Sequence, residues 1–233
     1  MDRRYFLKRL GAGTVSLSLP PMASSAKSCK VIGIGGAGCN FVLAASRSGA
    51  IPASSQWAPE FLCIDLDQEV LNYVDVDHAA MPGGSPIKTI SLATLGAAGR
   101  VNRGRAAALR KRDALRALLV DTEVVFLVAG LGGGTGSGVV PLMVRLAREA
   151  GAITVAAVVT PFDWEGGRRT PISDAAISHL NREADLVLRF SNQELMDVTG
   201  DGIDQGKFFD LQNQRIADSL RSLVNGNTHS AKT

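Results

Sequence analysis

Hydrophobic positions along this chain change their spacing at regular intervals. Val124 to Ala129 is an unbroken apolar run, as expected of a strand buried on both faces. From Val139 to Glu149 the apolar residues recur at helical spacing, through Val139, Met143, Leu146 and the adjoining Ala150. Lys30 to Ile34, Phe61 to Ile64, Ile153 to Val159 and Asp185 to Phe190 read as further strands. Helices are expected over Ala37 to Ser48, Arg103 to Leu119, Ser173 to Glu183 and Phe208 to Val224. Residues 75–94 read as irregular, with Pro82-Gly83-Gly84 marking a loop. Gly200-Asp201-Gly202 breaks the chain before the last helix. Strands alternating with helices predict an α/β fold: a mostly parallel sheet with helices on both faces. Ligands of such sheets bind beyond the carboxyl ends of the strands. The loops there, 35–40, 65–67, 132–138, 161–169 and 191–192, are expected to converge on one site.

The segment between the strand ending at Ala129 and the helix from Val139 carries the strongest chemical signal. Gly132-Gly133-Gly134-Thr135-Gly136-Ser137-Gly138 has five glycines in seven residues. Such a loop leaves backbone N–H groups uncovered at the positive end of a helix dipole, and its natural ligand is a phosphate chain. Thr135 and Ser137 are candidate hydroxyl donors. No lysine follows, which excludes the lysine-bearing phosphate loop. A second glycine loop, Gly33-Ile34-Gly35-Gly36-Ala37-Gly38-Cys39-Asn40, fits the Gly-x-Gly-x-x-Gly dinucleotide pattern through Gly33, Gly35 and Gly38. The strand after it ends in Asp65-Leu66-Asp67, where dinucleotide folds hold a ribose. Taken alone, the first third reads as an NAD site, so an NAD-dependent oxidoreductase of the Rossmann type is the alternative. That reading leaves the second glycine loop unexplained, and no Tyr–Lys or His catalytic constellation accompanies it.

Composition narrows the choice. At 233 residues, 45% apolar and 20% charged, the chain supports one sizeable core. Aromatic residues are few, at 5%, so stacking platforms for single-stranded nucleic acid are not expected. Cys29, Cys39 and Cys63 are odd in number and lack metal-ligand spacing, and His78, His179 and His229 are isolated. The formal net charge of +3 resides wholly in the first 26 residues, through Arg3, Arg4, Lys8, Arg9 and Asp2. The rest is formally neutral, so no basic nucleic-acid face is indicated. Residues 1–28 are expected to be a leader or a disordered tail. Asp2-Arg3-Arg4-Tyr5-Phe6-Leu7-Lys8 is similar to the twin-arginine export motif, followed by a weakly apolar stretch and small residues at Ser24-Ser25-Ala26. Nothing after it reaches the ~20 apolar residues of a transmembrane helix. The nucleotide-binding domain is expected over 29–224, with a polar tail over 225–233.

The ordered motifs together resemble one family. Gly132 to Gly138 looks like the tubulin/FtsZ signature Gly-Gly-Gly-Thr-Gly-Ser/Thr-Gly, and Val125 to Leu131 before it is similar to the bacterial FtsZ form. Val31 to Asn40, Thr160-Pro161-Phe162 with Glu165-Gly166 and Arg169, and Ser191-Asn192 extend the likeness over about residues 30–224. The resemblance implies a Rossmann-like tubulin/FtsZ nucleotide-binding domain, with GTP or GDP as ligand and Mg2+ as a candidate companion. It implies that Gly35, Gly36, Ala37, Gly38, Cys39 and Asn40 lie along the nucleotide and that Asp67 borders it. Gly132, Gly133, Gly134, Thr135, Gly136, Ser137 and Gly138 would cradle the phosphates. Glu165 would hold the ribose hydroxyls, with Arg169 near the sugar and phosphates and Asn192 beside them. Asn40 and Asn213 would read the guanine edge, with Phe209, one helical turn before Asn213, stacking on the base.

Departures from the family pattern shape the expected activity. Asp65 stands where the bacterial family usually has Asn, and Ala97-Ala98-Gly99-Arg100 replaces the loop that senses the terminal phosphate. The acidic loop that completes the GTPase site of the next subunit, and the domain after it, have no match in the sequence. A GTP-binding protein of the cell-division and cytoskeletal polymer class, with slow intrinsic turnover, is therefore expected. Its expected partners are GTP and FtsZ-like polymer subunits or itself. A degenerate interaction module without turnover is a further alternative. A working leader would export the protein to where GTP is lacking, so the fitness of the loops for GTP favours the cytoplasm.

Overall fold

The computed structural model describes residues 27–49, 51, 57–79, 84–93, 95–200 and 202–225. The leader-like segment 1–26, Pro82 and Gly83 of the expected loop, Asp201 and residues from 226 lie outside the described residues.

Six strands form one sheet: β1 (Lys27–Ile34), β2 (Trp57–Asp65), β3 (Ile87–Ser91), β4 (Thr122–Gly130), β5 (Ile153–Thr160) and β6 (Leu186–Ser191). Every neighbouring pair is parallel, in the order β3-β2-β1-β4-β5-β6. The helices are α1 (Gly35–Ser48), α2 (Gln68–Ala79), α3 (Val101–Arg110), α4 (Arg112–Ala117), α5 (Gly134–Glu149), α6 (Gly166–Glu183), α7 (Asn192–Thr199) and α8 (Gln205–Asn225). Side chains alternate across each strand. Val125, Leu127 and Ala129 of β4 join a core with Val139, Met143 and Leu146 of α5 and Leu180 of α6. Val124, Phe126 and Val128 join another with Phe41 and Val42 of α1 and Ile216 and Leu220 of α8. Both faces are thus covered, as a parallel sheet requires, and each such Val, Leu, Ile, Met or Phe side chain contributes roughly 1.5–3 kcal/mol by leaving water.

The strand order reverses direction between β1 and β4, which sit side by side with Ile34 level with Ala129. The connections from these two strands leave to opposite faces and open a crevice at their carboxyl ends. Both glycine loops begin there.

The expected α/β architecture is present, with several differences in detail. Within 75–94, expected to be irregular, the described residues hold the end of α2 and all of β3. The pattern is weak there because α2 buries only Leu71 and Val74, and β3 is a short edge strand with no fully buried side chain. The helix expected over Arg103 to Leu119 is two helices, interrupted at Lys111. Helices α1 and α5 start inside their glycine loops, at Gly35 and Gly134, ahead of the positions that helix propensity favours. Helix α6 runs from Gly166 straight through Pro171, which forfeits one backbone bond near the helix start. Ser191 caps an unforeseen helix, α7, by accepting the Glu194 N–H at 3.1 Å.

Candidate functional site

A cavity of about 640 Å3 lies at the carboxyl ends of β1, β4 and β5. Gly35, Gly36 and Ala37 of α1 and Gly133 to Gly136 at the start of α5 form its floor. Neither helix has a side-chain cap or an acidic residue in its first turn. The unpaired N–H groups of two helix starts therefore open onto one space, which makes it a site for an anion. The floor is continuous: a Cβ on Gly35 would stand 3.4 Å from the Gly136 nitrogen and 3.5 Å from the Thr135 Cβ. Gly35 itself sits at a φ of +76°, which favours glycine. Gly36 and Gly133 face open space, with nothing within 4 Å of where a side chain would begin.

The two hydroxyls of the loop point to protein partners. Thr135 donates to Asp65 Oδ1 at 3.1 Å, and Ser137 Oγ accepts the Gly132 N–H at 2.9 Å. They fix the loop's shape, and the backbone supplies the donors facing the cavity. Gly38 and Gly138 serve close packing: a Cβ on Gly38 would meet the Val128 carbonyl at 2.2 Å, and one on Gly138 the Val101 carbonyl at 2.6 Å. Cys39 is buried, with its Sγ 3.9 Å from the Gly33 carbonyl oxygen.

One wall combines charge with aromatic rings. Glu165 and Arg169 form an i,i+4 ion pair, and Glu165 Oε1 also accepts the Phe162 N–H at 3.0 Å. Phe162 stacks on Trp164, with ring centres 5.1 Å apart, and lies 5.2 Å from Phe208, which meets Phe209 edge-on at 5.7 Å. Trp164 is 76% exposed and Phe209 41%. Both line the cavity and have ring surface to offer. Asn192 also borders the cavity, its Oδ1 accepting from Gln212 Nε2 at 3.0 Å. That bond leaves the Asn192 amide as a donor.

The structure brings Gly35, Gly36, Ala37, Gly133, Gly134, Thr135, Gly136, Glu165, Arg169, Asn192 and Phe209 to this one cavity. Gly132, at a φ of +87°, sets the turn behind it, against the backbone of Arg169. Asn40 is exposed on α1, off the cavity wall. Asn213 lies in a separate cleft of about 220 Å3 between α1 and α8, with Phe41 and Asp210. Asp67 Oδ1 accepts the Glu69 N–H at 3.0 Å at the start of α2. Trp164, Phe208 and Gln212 were not among the expected site residues, and Phe162 was expected only as part of the Thr160-Pro161-Phe162 match. The adjacency of Trp164 to Glu165 was the available signal.

The acidic residues on which a dinucleotide reading depends are occupied. Asp65 is 3% exposed and accepts from the Leu66 and Asp67 N–H groups, at 2.6 and 3.1 Å, as well as from Thr135. Burial, the largest influence, raises its pKa above the ordinary 3.8, against the lowering effect of those bonds. Neither Asp65 nor Asp67 is on the cavity wall to hold a ribose.

A family model described as the Tubulin/FtsZ family, GTPase domain, matches residues 28–200. The chain belongs to the tubulin/FtsZ family. It is 32% identical over 198 residues to the cell division protein FtsZ of Coxiella burnetii, covering 84% of this chain and 48% of that protein. Against the FtsZ of Buchnera aphidicola subsp. Schizaphis graminum it is 30% identical over 197 residues, again covering 84% and 48%. The chain thus spans about half the length of the curated relatives it matches. An empty FtsZ dimer from M. jannaschii superposes with a TM-score of 0.70 at 22% identity, over all of this chain and 62% of that one. CetZ2 from Haloferax volcanii, a GTPγS-bound protofilament, gives 0.67 at 22% identity, over 88% and 60%. These two likenesses establish the tubulin/FtsZ fold. The NAD-dependent oxidoreductase reading is not favoured.

Proposed function

We propose that this chain binds a guanosine nucleotide in the 640 Å3 cavity. The observation that carries the reading is the meeting of two uncapped helix starts, α1 and α5, at one space. The phosphates lie on the backbone N–H groups of Gly35 to Ala37 and Gly133 to Gly136. The ribose lies at the Glu165–Arg169 pair, and the base stacks on the ring surface of Trp164 and Phe209, within reach of the Asn192 amide. The fold family and this floor of phosphate donors support GTP and GDP. Asn40 and Asn213, off the cavity wall, are not needed for it. Among the described residues no three His, Cys, Asp or Glu side chains come together as a metal site. A Mg2+ ion would reach the cavity on phosphate oxygens and water, with few protein ligands.

Slow intrinsic hydrolysis is part of the same proposal. Phosphoryl transfer to water needs a group that orients the water. Glu165 is the one acidic residue on the described cavity wall, and it is held by Arg169 and the Phe162 N–H. A carboxylate from a second subunit of the same family would supply the missing group, so association with FtsZ-like polymers or with itself is the expected partnership. Among the described residues no helix is long and apolar enough to cross a membrane. We place the protein in the cytoplasm, because a GTP site needs a compartment that holds GTP.

Titration of the full chain with GTP and separately with NAD, in magnesium buffer, tests the binding. Micromolar GTP binding with NAD binding at least about a hundredfold weaker, about 2.8 kcal/mol, is expected. NAD binding as tight as GTP, or binding of neither, overturns the reading. Phosphate release from bound GTP, alone and with FtsZ polymers, tests hydrolysis. Vigorous release by the chain alone contradicts the slow turnover, and absence from sedimented polymers contradicts the partnership.

A further inference from the structure

A second cavity, of about 440 Å3, lies on the other side of α5, between α3, α5 and α6. Its surface is mainly aliphatic, with Leu109 from α3, Leu142 from α5 and Ile172 from α6. Three nitrogen-bearing side chains stand among them: Arg105 of α3, Arg145 of α5 and His179 of α6. Among the described residues no acidic side chain lines the cavity. The size and the mix of apolar wall with a few polar groups are those of small-molecule pockets.

The polar groups there have bonding capacity to spare. His179 is half-buried at the wall, and its Nε2 has no hydrogen-bond partner among the described residues. Arg145 reaches Glu183 only at 3.9 Å, while Arg148 holds the other Glu183 oxygen at 3.1 Å. Arg105 makes no ion pair among the described residues. Two guanidinium groups on a wall with no acidic side chain among the described residues call for an anion. The aliphatic remainder calls for an apolar body on that anion, which sets this cavity apart from the glycine-lined phosphate floor.

We propose that this cavity binds a small amphiphilic carboxylate. Its carboxylate accepts hydrogen bonds from the guanidinium groups of Arg105 and Arg145. Its apolar body packs against Leu109, Leu142 and Ile172. The wall also includes Ser137 and Gly138, so the occupant touches the reverse side of the phosphate loop. Binding needs no nucleotide, and its test stands apart from the GTP reading.

The test is calorimetric titration of the full chain, free of nucleotide, with decanoate and with decylammonium, each below its micelle-forming concentration. Saturable one-to-one binding of decanoate is expected, with decylammonium weaker by about tenfold or more. Arg105→Ala and Arg145→Ala, both at exposed positions, are each expected to weaken decanoate by about tenfold. Leu142→Trp, which fills the cavity, is expected to abolish binding, and a thermal melt identifies any loss of fold in that variant. Absence of saturable decanoate binding overturns the proposal. So does equal binding of the two amphiphiles, or affinity that neither arginine substitution changes.

Discussion

Thr135 donates its hydroxyl to Oδ1 of Asp65 across 3.1 Å, joining two residues 70 positions apart in the chain. The bond ties the phosphate loop to the end of β2. It also buries a carboxylate that binds its proton more tightly folded than unfolded, because burial raises its pKa above 3.8. The sign follows from linkage. Ionising Asp65 costs more in the folded protein, so its contribution to stability is fullest below the ordinary carboxylate range and is lost as pH rises through the raised value.

Asp65→Asn keeps the Oδ1 acceptor for Thr135, Leu66 and Asp67 and deletes the charge. The variant is expected to be more stable than the parent at pH 7, on the order of 1 kcal/mol. The gain should shrink toward pH 3, where the parent carboxyl is neutral in both states. Urea denaturation at the two pH values measures it, and a parent that stays the more stable at pH 7 contradicts the account. Asp65→Ala leaves three donors without an acceptor and is expected to cost about 1–3 kcal/mol.

Glycines that face the cavity and glycines that face protein are expected to respond oppositely. Gly133 has an ordinary extended backbone, at φ −92° and ψ 173°, and open space where a Cβ would stand. Gly133→Ala should fold as well as the parent, or better by about 0.4–1 kcal/mol through the unfolded chain. Its methyl group intrudes on the phosphate floor, so GTP affinity should fall by about tenfold or more, about 1.4 kcal/mol. Gly136→Ala places its Cβ 2.0 Å from the Gly130 carbonyl oxygen. It should lose about 1–3 kcal/mol of stability or fail to fold. Melting curves paired with nucleotide titrations separate the two effects, and equal responses would contradict the assigned directions.

The strands β1, β4 and β5 were legible because a strand buried on both faces leaves an uninterrupted apolar run, as in Val124 to Ala129. The glycine loops were legible because glycine at such density, between a strand and a helix, bares the backbone to a ligand. Helix α2 and strand β3 were hidden, since one buries two residues and the other lies at the sheet's edge. The partnership of Thr135 with Asp65 leaves no local trace in sequence. The aromatic wall was only partly visible, because Phe162, Trp164, Phe208 and Phe209 come from two distant segments and meet only in the fold. Phe209 and Asn213 share one face of α8 by spacing, yet Phe209 lines the cavity and Asn213 lines the separate cleft with Phe41.

The three cysteines are expected to be silent in the folded protein. Cys29, Cys39 and Cys63 are all buried. Burial pushes the Cys29 thiol up to about 12, and a hydrogen bond with Cys63 together with burial raises that of Cys39. The thiolate is the reactive form. A disulfide reagent at pH 8 should therefore titrate none of the three in native protein and all three in denaturant. Rapid reaction of the native chain would show that these core positions are open.

Trp164 offers the most direct view of the base. Its ring is 76% exposed at the mouth of the cavity and stacks on Phe162. A guanine on its free face removes water from the indole, so GTP should shift its emission to shorter wavelength and alter its intensity. Trp164→Phe keeps an aromatic face while removing the reporter. It should lose the spectral change and keep affinity within about threefold of the parent, since the ring-to-ring difference is well under 1 kcal/mol. Trp164→Ala removes the face itself and should weaken GTP by about 1–3 kcal/mol, the worth of stacking one base on an aromatic side chain. The exposed position carries little of the fold's stability, and a melt at the parent's midpoint confirms that for each variant. Undiminished affinity in Trp164→Ala would move the base to Phe209, on the same wall, where Phe209→Ala then carries the test.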